Sequence, residues 1–409
     1  YKRKGKGQNR HIRTHSFDLR DFMNFFQGGL KRLLEDLDVE DNDGVKIRKL
    51  SLEYQAVDTN NLTDDEIDYC VNDVKGLYFA VKKFNSSIEE QSDGECHIFG
   101  KETNLMTAGG FAKSELLRSL YPDIETKKKR LKQFQKQHPI TETQDRFFRQ
   151  NHLYRGGICL VNEMHRGVLY KAKNNKFLNR YDVNSEYPFA MSIMPDLIGK
   201  PRKISVNEWQ KIDKSKYECI LAFSSITGEL KQGFIPVWFN PFQKKYVSII
   251  NETGTHLMFE REFDEYLKWY DLEYVIDYVI IIKKGECVYK KFVEDNYKLK
   301  NDAGKAGNKS LKANAKLKLN SSYGKLAERI ERNNGHYELN EETGAIHFVT
   351  DDKETDESGA MNVIIGSLVT AIARIWILSH IREICGENMI NNFFYIDTDS
   401  IHTTAVYEK

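Results

Sequence analysis

The sequence contains few cysteines and no long uninterrupted apolar run. Its 6 cysteines are scattered over 409 residues without a Cys-x-x-Cys pair, which argues against structural zinc and favours reduced thiols. The most apolar stretch, Met361 to His380, is interrupted by Asn362, Ser367, Thr370 and Arg374, so it fits a buried helix better than a membrane span. No signal peptide is visible, and we expect a cytosol-like compartment without a membrane partner.

Net charge is also nearly absent. The 61 Lys and Arg residues balance 60 Asp and Glu residues, so overall charge neither supports nor excludes a nucleic-acid partner. Charged residues make up 30% of the chain and apolar residues 40%, with 21 Tyr and 23 Phe. This composition predicts a well-solvated protein with ample core material, and the length predicts two to three domains.

The first chemical signal is the stretch from Phe393 to Ile401, where an apolar β-rich run ends in Asp397 and Asp399. Side chains alternate along a strand, so both carboxylates would lie on one face, and a hairpin bend would leave one of them at its tip. Unpaired carboxylates beside an apolar strand are costly, whereas they are suitable ligands for Mg²⁺. Taken alone, Asp-Thr-Asp also fits an ordinary surface turn.

A second carboxylate occupies a comparable position upstream. A predicted strand over 177–182 ends in Asp182, and Pro188 marks where a helix begins. The end of a strand is a good position for a metal ligand, and the backbone amides that follow could bind a triphosphate.

A polar stripe is predicted on a helix within 297–323. Lys312, Lys316, Asn320 and Tyr323 follow one another at steps of 4, 4 and 3 residues, so they line one helix face. Lysine ammoniums act as point charges for phosphates, and a tyrosine beside a glycine can stack on a base. A solvated lysine-rich face is the alternative.

Two weaker signals precede these segments. The sequence Tyr-Arg-Gly-Gly at 154–157 comes before a predicted strand, where glycines would let backbone amides approach a ligand and Arg155 could meet a phosphate. A plain turn explains the glycines equally well. Tyr69 and Asp73 share a face of a predicted helix and could position a metal-activated water, although surface decoration is the simpler interpretation.

Three of these segments, in this order, resemble the polymerase motifs of family B DNA polymerases. Asp182–Pro188 (DVNSEYP) resembles DxxSLYP, Lys316–Gly324 (KLKLNSSYG) resembles KxxxNSxYG, and Tyr395–Ser400 (YIDTDS) resembles YxDTDS. Reverse transcriptases carry adjacent aspartates, whereas Thr398 separates the two here, so that family is disfavoured.

The flanking segments resemble the protein-primed branch of bacteriophages and linear plasmids. Residues 154–157 match its YxGG block, and the segments 194–290 and 328–358 fall where it carries two insertions. Further upstream, 69–73 resembles the exonuclease motif YxxxD. The DxE exonuclease carboxylates and the KxY thumb block have no counterpart, which fits either a fragment or a reduced relative that cannot proofread. Glu186 stands where the first motif has leucine.

The resemblance implies an α+β multidomain fold. It comprises a right-hand polymerase palm, built from an antiparallel sheet plus helices, with helical fingers, preceded by part of an RNase H-like 3′–5′ exonuclease domain. The implied divisions are the C-terminal part of the exonuclease-like domain (1–105), the first part of the palm (106–193), a first insertion (194–290), the fingers (291–327), a second insertion forming a strand-displacement hairpin (328–358), and the second part of the palm (359–409).

The resemblance also implies a template-directed DNA polymerase that adds dNTPs to a 3′-hydroxyl by two-metal phosphoryl transfer. Initiation would use a hydroxyl of a terminal protein during phage or linear-plasmid genome replication, in the host bacterial cytoplasm or an organelle matrix. Partners would be primer-template DNA, dNTPs and the terminal protein, and cofactors two Mg²⁺ ions, replaceable by Mn²⁺. The alternative is a catalytically inactive polymerase fold that acts as a DNA-binding or replication scaffold.

Residue roles follow from the same resemblance. Tyr187 would exclude a 2′-hydroxyl, and Tyr323 would cover the new base pair. The implied catalytic residues are Asp182, Asp399 and, as a nearby charge, Asp397, with metal binding by Asp182, Asp399 and the Val183 backbone. Nucleotide binding is implied for Lys312, Lys316, Lys300, Asn320, Tyr187, Tyr323 and Ser185. DNA binding is implied for Tyr154, Arg155, Gly156, Gly157, Tyr395, Thr398 and Gly324, and an exonuclease role for Tyr69, Asp73 and Lys49.

Overall fold

A computed structural model describes residues 25, 29–51, 62–98, 107–167, 178–329 and 361–407, together with the strands within 331–355. Its helices are α1 Leu30–Leu37, α2 Asp64–Gln91, α3 Ala108–Leu120, α4 Lys127–Gln137, α5 Glu142–Gln150, α6 Glu186–Ile193, α7 Val206–Trp209, α8 Glu260–Tyr266, α9 Lys290–Lys305, α10 Lys309–Leu326, α11 Val363–Cys385 and α12 Met389–Asn392.

The strands are β1 Cys159–Val161, β2 Asn179–Asp182, β3 Leu197–Ile204, β4 Tyr217–Leu230, β5 Trp238–Asn240, β6 Lys245–Val247, β7 Ile249–Phe259, β8 Tyr270–Lys284, β9 Glu331–Arg332, β10 Gly335–Leu339, β11 Ile346–Thr350, β12 Glu354–Thr355, β13 Phe393–Asp397 and β14 Ser400–Thr403.

The N-terminal unit packs α1 against α2 around a small apolar core that includes Leu34 and Phe84. Helix α2 begins with a capping box in which Thr63 and Glu66 bond each other's backbone N–H groups, an arrangement that satisfies amides left free at a helix start. The polar composition of residues 86–95 predicts a linker, but α2 continues to Gln91. Its side chains satisfy one another locally, because Gln91 Nε2 donates to Ser87 Oγ at 3.1 Å.

A four-stranded antiparallel sheet carries both aspartate segments. Its strand order is β1-β13-β14-β2, so the β13–β14 hairpin lies between the two strands from the first half of the chain. Helix α11 is buried along most of its length and packs in the main cores. By length and composition it could span a bilayer, but 78% of its most apolar window is buried inside the protein, as predicted for a core helix.

A second antiparallel sheet has the order β3-β8-β4-β7. The sequence predicts short strands over 195–290 and a buried strand or hairpin over 273–282. Strand β8, with 15 residues, contains the latter segment, whereas β4 and β7, with 14 and 11 residues, are longer than predicted. This sheet shares a hydrophobic core with the aspartate-bearing sheet, since Phe223 and Ile281 belong to the same buried cluster as Ile396 and Ile401. The segment 194–290, predicted as a first insertion, is therefore packed into the body of the protein.

Helices α9 and α10 pack against each other, and α10 also contacts α3, α6 and α11. The polar segment that follows contains the predicted hairpin, in which β10 and β11 pair antiparallel from Gly335 opposite Thr350 to Leu339 opposite Ile346. The same segment pairs β9 with β12.

Candidate active site

The ends of two neighbouring strands bring Asp182 and Asp399 together. Ser400 pairs with Asp397 on one side and with Asp182 on the other. Asp399 immediately precedes Ser400, so its backbone lies beside the end of β2. The Val183 N–H donates to the Asp399 carbonyl at 2.7 Å, which ties the two segments directly. The structure thus joins two carboxylates that are distant in sequence.

The turn that carries Asp399 is tight. The Asp399 N–H donates to the Asp397 carbonyl at 2.6 Å across Thr398, whose φ is +56°. A β-branched residue rarely adopts positive φ, and such strain costs about 1–3 kcal/mol. The Thr398 N–H is held by the Ile158 carbonyl at 2.8 Å. A Cβ on Gly157 would lie 2.6 Å from Thr398 Cγ2, so glycine is needed there for the close approach.

The electrostatics of the turn suit a bound cation. Burial and the neighbouring carboxylates of Asp182 and Asp397 raise the pKa of Asp399. Arg180 Nη2 lies 3.0 Å from Asp182 Oδ1, but both side chains are mostly exposed, and such pairs contribute only about 0–1 kcal/mol. A divalent cation would relieve the carboxylate repulsion more fully, and Mg²⁺ accepts few protein oxygens while taking the rest from phosphate or water.

Few protein groups at this site could bind a metal ion. Within the described ranges, no group of three or more His, Cys, Asp and Glu side chains has metal-binding geometry. Asp182, Asp399 and the Val183 carbonyl therefore fit Mg²⁺ as a site that substrate oxygens would complete, and do not fit an all-protein cage.

The predicted polar stripe is present on α10. Lys312, Lys316 and Asn320 are exposed, and Tyr323 is half-buried. Lys300, on α9, lies in the same positive group, because burial and then Lys316 and Lys312 lower its pKa. Its Nζ donates a long hydrogen bond of 3.4 Å to the Ser185 hydroxyl. Since Ser185 follows Asp182 by three residues, the lysine group and the aspartates border one site.

Two tyrosines connect α6 to α10. The rings of Tyr187 and Tyr323 stack with centroids 4.0 Å apart and planes at 23°. The Gly157 N–H donates to the Tyr187 hydroxyl, and burial raises the pKa of that phenol. Apart from its chain neighbours and the backbone of its own helix, no atom lies within 4 Å of a Cβ built on Gly324, so the space around Gly324 is open. The stacked pair lies between the lysine stripe and the aspartate turn.

The loop 154–157, which contains Gly156 and Gly157, is held by a buried ion pair that the sequence did not reveal. Arg374 Nη1 donates to the carbonyls of Arg155 and Gly156 at 2.6 and 2.9 Å. Arg374 Nε donates to Glu262 Oε1 at 2.7 Å, and both side chains are buried. The only available signal was an arginine inside an apolar helix. Tyr154, at the start of the loop, is half-buried and packs against the main core.

The side chain of Arg155 is less free than predicted. The expectation was a side chain free to meet a phosphate, but its Nη2 lies 3.1 Å from Glu262 Oε1 and the side chain is 15% exposed. Its charge is already matched by that carboxylate. Tyr395, also predicted to bind DNA, is partly exposed, with its hydroxyl 3.9 Å from Cys159 Sγ on the neighbouring strand.

The three predicted exonuclease residues meet in the N-terminal unit. Lys49 Nζ donates to the Tyr69 hydroxyl at 2.7 Å and also bonds Asp73. The hydrogen bonds to Asp73 and then to Tyr69 raise the pKa of Lys49. The second oxygen of Asp73 is buried without a hydrogen-bond partner. The structure therefore supports the grouping, and its role stays a prediction.

Glu186, which stands where the first polymerase motif has leucine, is the departure from the motifs with the clearest physical consequence. It is 3% exposed, its Oε1 lacks a hydrogen-bond partner, and burial followed by the charge of Asp399 raises its pKa to about 9. An acid whose pKa is raised on folding contributes stability below its unfolded pKa and loses that contribution as pH rises toward the folded value. Stability should therefore fall between about pH 4.5 and pH 9.

Replacing Glu186 by glutamine should remove this pH dependence. From pH 5 to pH 8, the free energy of unfolding of the parent protein should fall by about 4 kcal/mol more than that of Glu186→Gln, because one pKa unit corresponds to 1.36 kcal/mol. Denaturant unfolding at the two pH values measures it. Glu163→Gln, at an exposed position, is the control. An equal pH slope in Glu186→Gln and the parent would show that Glu186 ionises freely in the folded state.

Comparison with known proteins places this geometry in a family. A family model described as DNA polymerase type B, organellar and viral, matches residues 29–408. The DNA polymerase of Bacillus phage PZA is 27% identical over 355 residues, covering 84% of this chain and 54% of that protein. The DNA polymerase of Bacillus phage phi29 is 28% identical over 316 residues, covering 75% and 49%. The chain spans about half the length of these curated relatives.

Solved structures share the fold. Phi29 DNA polymerase complexed with primer-template DNA aligns with a TM-score of 0.72 and 23% identity, covering 95% of this chain and 60% of that one. Its complex with primer-template DNA and incoming nucleotides gives a TM-score of 0.70, also at 23% identity, covering 95% and 61%. The predicted α+β polymerase fold, with an antiparallel palm sheet and helical fingers, is confirmed.

Proposed function

Since the chain belongs to the organellar and viral type B DNA polymerases, as its motifs predicted, we propose that it is a template-directed DNA polymerase that adds dNTPs to a 3′-hydroxyl. The observation that carries this proposal is the meeting of Asp182 and Asp399 at adjacent strand ends. They border a group of three lysines, which is the arrangement that phosphoryl transfer to a nucleotide requires.

The carboxylates of Asp182 and Asp399, with the Val183 carbonyl, would hold the divalent ions. When bound, two Mg²⁺ ions would lower the pKa of the primer hydroxyl and neutralise the triphosphate and the leaving pyrophosphate. Asp397 begins the turn and its side chain is exposed, so it would act as a nearby charge and not as a metal ligand. The strained turn fixes the position of Asp399 before substrate binds.

The lysines and tyrosines would bind the incoming nucleotide. Lys312, Lys316 and Lys300 present ammonium groups to the triphosphate, with Asn320 continuing the same face. Tyr187 and Tyr323 would separate from their stacked arrangement to admit the sugar and the base pair. The loop 154–157, with Thr398, Tyr395 and Gly324, would line the path of the DNA.

The wider biology is proposed on the same basis. The phi29 relative is solved with primer-template DNA and incoming nucleotides, and we extend both partners to this chain. We also propose that the protein initiates synthesis on a terminal-protein hydroxyl and acts in a bacterial cytoplasm or an organelle matrix. Its domains would divide as given above. The hairpin β10–β11 would act in strand displacement.

Primer extension tests the proposal. The protein, incubated with a labelled primer-template, dNTPs and Mg²⁺, should lengthen the primer in the order that the template specifies. Binding of the primer-template without extension, in Mg²⁺ and in Mn²⁺, would contradict the enzyme and favour the scaffold alternative.

Tyr187→Val should weaken discrimination against ribonucleotides by about 10- to 100-fold. The aromatic ring, held through its hydroxyl by the Gly157 N–H, would otherwise occupy the space that a 2′-hydroxyl needs. Single-nucleotide insertion with dNTP and rNTP gives the ratio of kcat/KM values. Tyr187→Phe keeps the ring without the hydroxyl and should retain discrimination. Equal ratios in Tyr187→Val and the parent protein would remove this role from Tyr187.

A further inference from the structure

A row of side chains crosses the aspartate-bearing sheet two residues away from the aspartates. Arg180 on β2 pairs with His402 on β14, which in turn pairs with Tyr395 on β13. Directly paired residues share a face of a sheet, and so do residues two apart along one strand. Asp182 and Asp397 therefore lie on the same face as this row, displaced from it by about 7 Å along the strands.

The face that carries this row is the more accessible face of the sheet. Ile396 and Ile401, which point to the opposite face, are buried in a main core. Arg180 is exposed, and His402 and Tyr395 are partly exposed. The rings of Tyr395 and His402 are in edge-to-face contact, with centroids 5.4 Å apart. Aromatic rings beside a cation suit a nucleic-acid strand, whose sugars and bases pack on rings and whose phosphates need positive charge.

Arg180 has one hydrogen-bond partner within the part of the chain that the structure describes. Its Nη2 donates to Asp182 Oδ1 at 3.0 Å, and the two side chains are 63% and 55% exposed. Because Asp182 is also a proposed ligand of the divalent ions, a bound cation would compete with the guanidinium for the same carboxylate. Such an exposed ion pair contributes only about 0–1 kcal/mol. Arg180 is therefore easily released to bind another anion.

The position of the lysine group indicates which anion this would be. Lys300 contacts Ser185, three residues after Asp182, so the triphosphate of an incoming nucleotide would lie beyond Asp182 in the chain direction. Arg180 comes two residues before Asp182, on the other side of it. In phosphoryl transfer the attacking and leaving oxygens are roughly in line across the phosphorus. The primer that attacks therefore lies opposite the triphosphate, on the side of Arg180.

We propose that Arg180 binds a phosphate of the primer strand, at one of the first linkages behind the 3′ end, and thereby helps to position the attacking hydroxyl. Tyr395 and His402 would lie against the sugar and base next to that phosphate. The inference rests on the proposed function, because its ligand is the primer of a polymerase. Arg180 lies outside the three polymerase motifs, so it adds a primer-binding residue that the motifs do not assign.

Methylphosphonate linkages test this contact, because each replaces one charged phosphate by a neutral group of similar size. Primers would carry one such linkage at each of the first several positions from the 3′ end, and a second set would carry it in the template. Anisotropy with the full chain in Mg²⁺ gives each Kd. Arg180→Ala should weaken binding of unmodified DNA about tenfold and reduce the slope of log K against log salt by about one. At one primer linkage, the methylphosphonate should weaken binding to the parent protein by a similar factor and leave binding to Arg180→Ala unchanged.

Arg202→Ala is the matched control. Arg202, on β3 of the second sheet, is 59% exposed, and its Nη1 lies 3.0 Å from the exposed carboxylate of Glu208. The same change therefore removes an exposed arginine from an exposed ion pair, and DNA binding should match that of the parent protein. Arg180→Lys keeps the positive charge and should retain the sensitivity to the same primer linkage. Arg180 is exposed, so neither of its replacements should unfold the protein.

The possible results separate this inference from the proposed function. If every methylphosphonate weakens binding equally in Arg180→Ala and the parent protein, Arg180 serves only as the counter-ion of Asp182, and the inference alone is overturned. A linkage whose effect depends on Arg180 but lies in the template would overturn the assignment to the primer. An equal loss of DNA affinity in Arg202→Ala would show a general effect of charge and would also overturn the inference. A parent protein that does not bind unmodified primer-template DNA would overturn the proposed function, and this inference with it.

Discussion

Asp399→Asn should reduce the rate of dNTP incorporation by about four orders of magnitude, equivalent to about 5 kcal/mol of transition-state stabilisation. The substitution keeps the size of the side chain but removes one of the two carboxylates that would hold the divalent ions. Binding of primer-template DNA should be little changed. Single-turnover insertion of one nucleotide measures the rate, and fluorescence anisotropy measures DNA binding.

The same variant should not lose stability. In the folded protein, burial and the charges of Asp182 and Asp397 raise the pKa of Asp399, so the ionised carboxylate is disfavoured there and asparagine relieves the repulsion. The free energy of unfolding should stay equal or rise. Loss of activity accompanied by unfolding would point to a structural role.

Asp264→Asn is the matched control. Burial and Glu260 also raise the pKa of Asp264, which lies on α8 outside the site, so the same chemical change should leave incorporation intact. Full activity in Asp399→Asn would rule out the catalytic assignment, whatever Asp264→Asn does.

Lys316→Ala should weaken binding of the incoming dNTP by about 10- to 100-fold, the range expected for losing a hydrogen bond to a charged group. Lys316 is exposed on the stripe and lies in one positive group with Lys300 and Lys312. Its ammonium group is therefore available to bind an anion. The dependence of the insertion rate on dNTP concentration measures the effect. Stability should be unchanged, because alanine is a good helix former.

Lys309→Ala provides the control on the same helix. Lys309 is exposed, and its Nζ donates to the Glu35 carbonyl, away from the stripe. Its removal should leave nucleotide affinity as in the parent protein. Similar losses in Lys309→Ala and Lys316→Ala would show that α10 contributes only general positive charge.

Local features of this fold were predictable because short-range chemistry determines them. The helix period placed Lys312 and Tyr323 on one face, and the Asp-Thr-Asp segment allowed a hairpin bend that leaves one of its two carboxylates at the tip. The capping of α2 by Thr63 is equally local, because its side chain accepts a hydrogen bond from a backbone amide three residues on. In each case the determining partner lies within about one or two helical turns or one strand pair.

Features that depend on long-range contacts were not predictable from the sequence. Glu262 and Arg374 are 112 residues apart, and neither carries a local sign of the other. The length of β4 was not predictable either, because its 14 residues are held by pairing with β7 and β8, both of which follow it in the chain. The ion pair of Arg155 was not predictable for the same reason, because its partner Glu262 comes from α8.

The most direct test of the account is the number of Mn²⁺ ions bound by the protein with primer-template DNA, a dideoxy-terminated primer and the matching dNTP, measured by electron paramagnetic resonance. If the carboxylates of Asp182 and Asp399 form one metal site, the parent complex should bind two Mn²⁺ ions that Asp182→Asn and Asp399→Asn each lose, with no further loss in the double variant. Unchanged Mn²⁺ binding in both single variants would contradict the account.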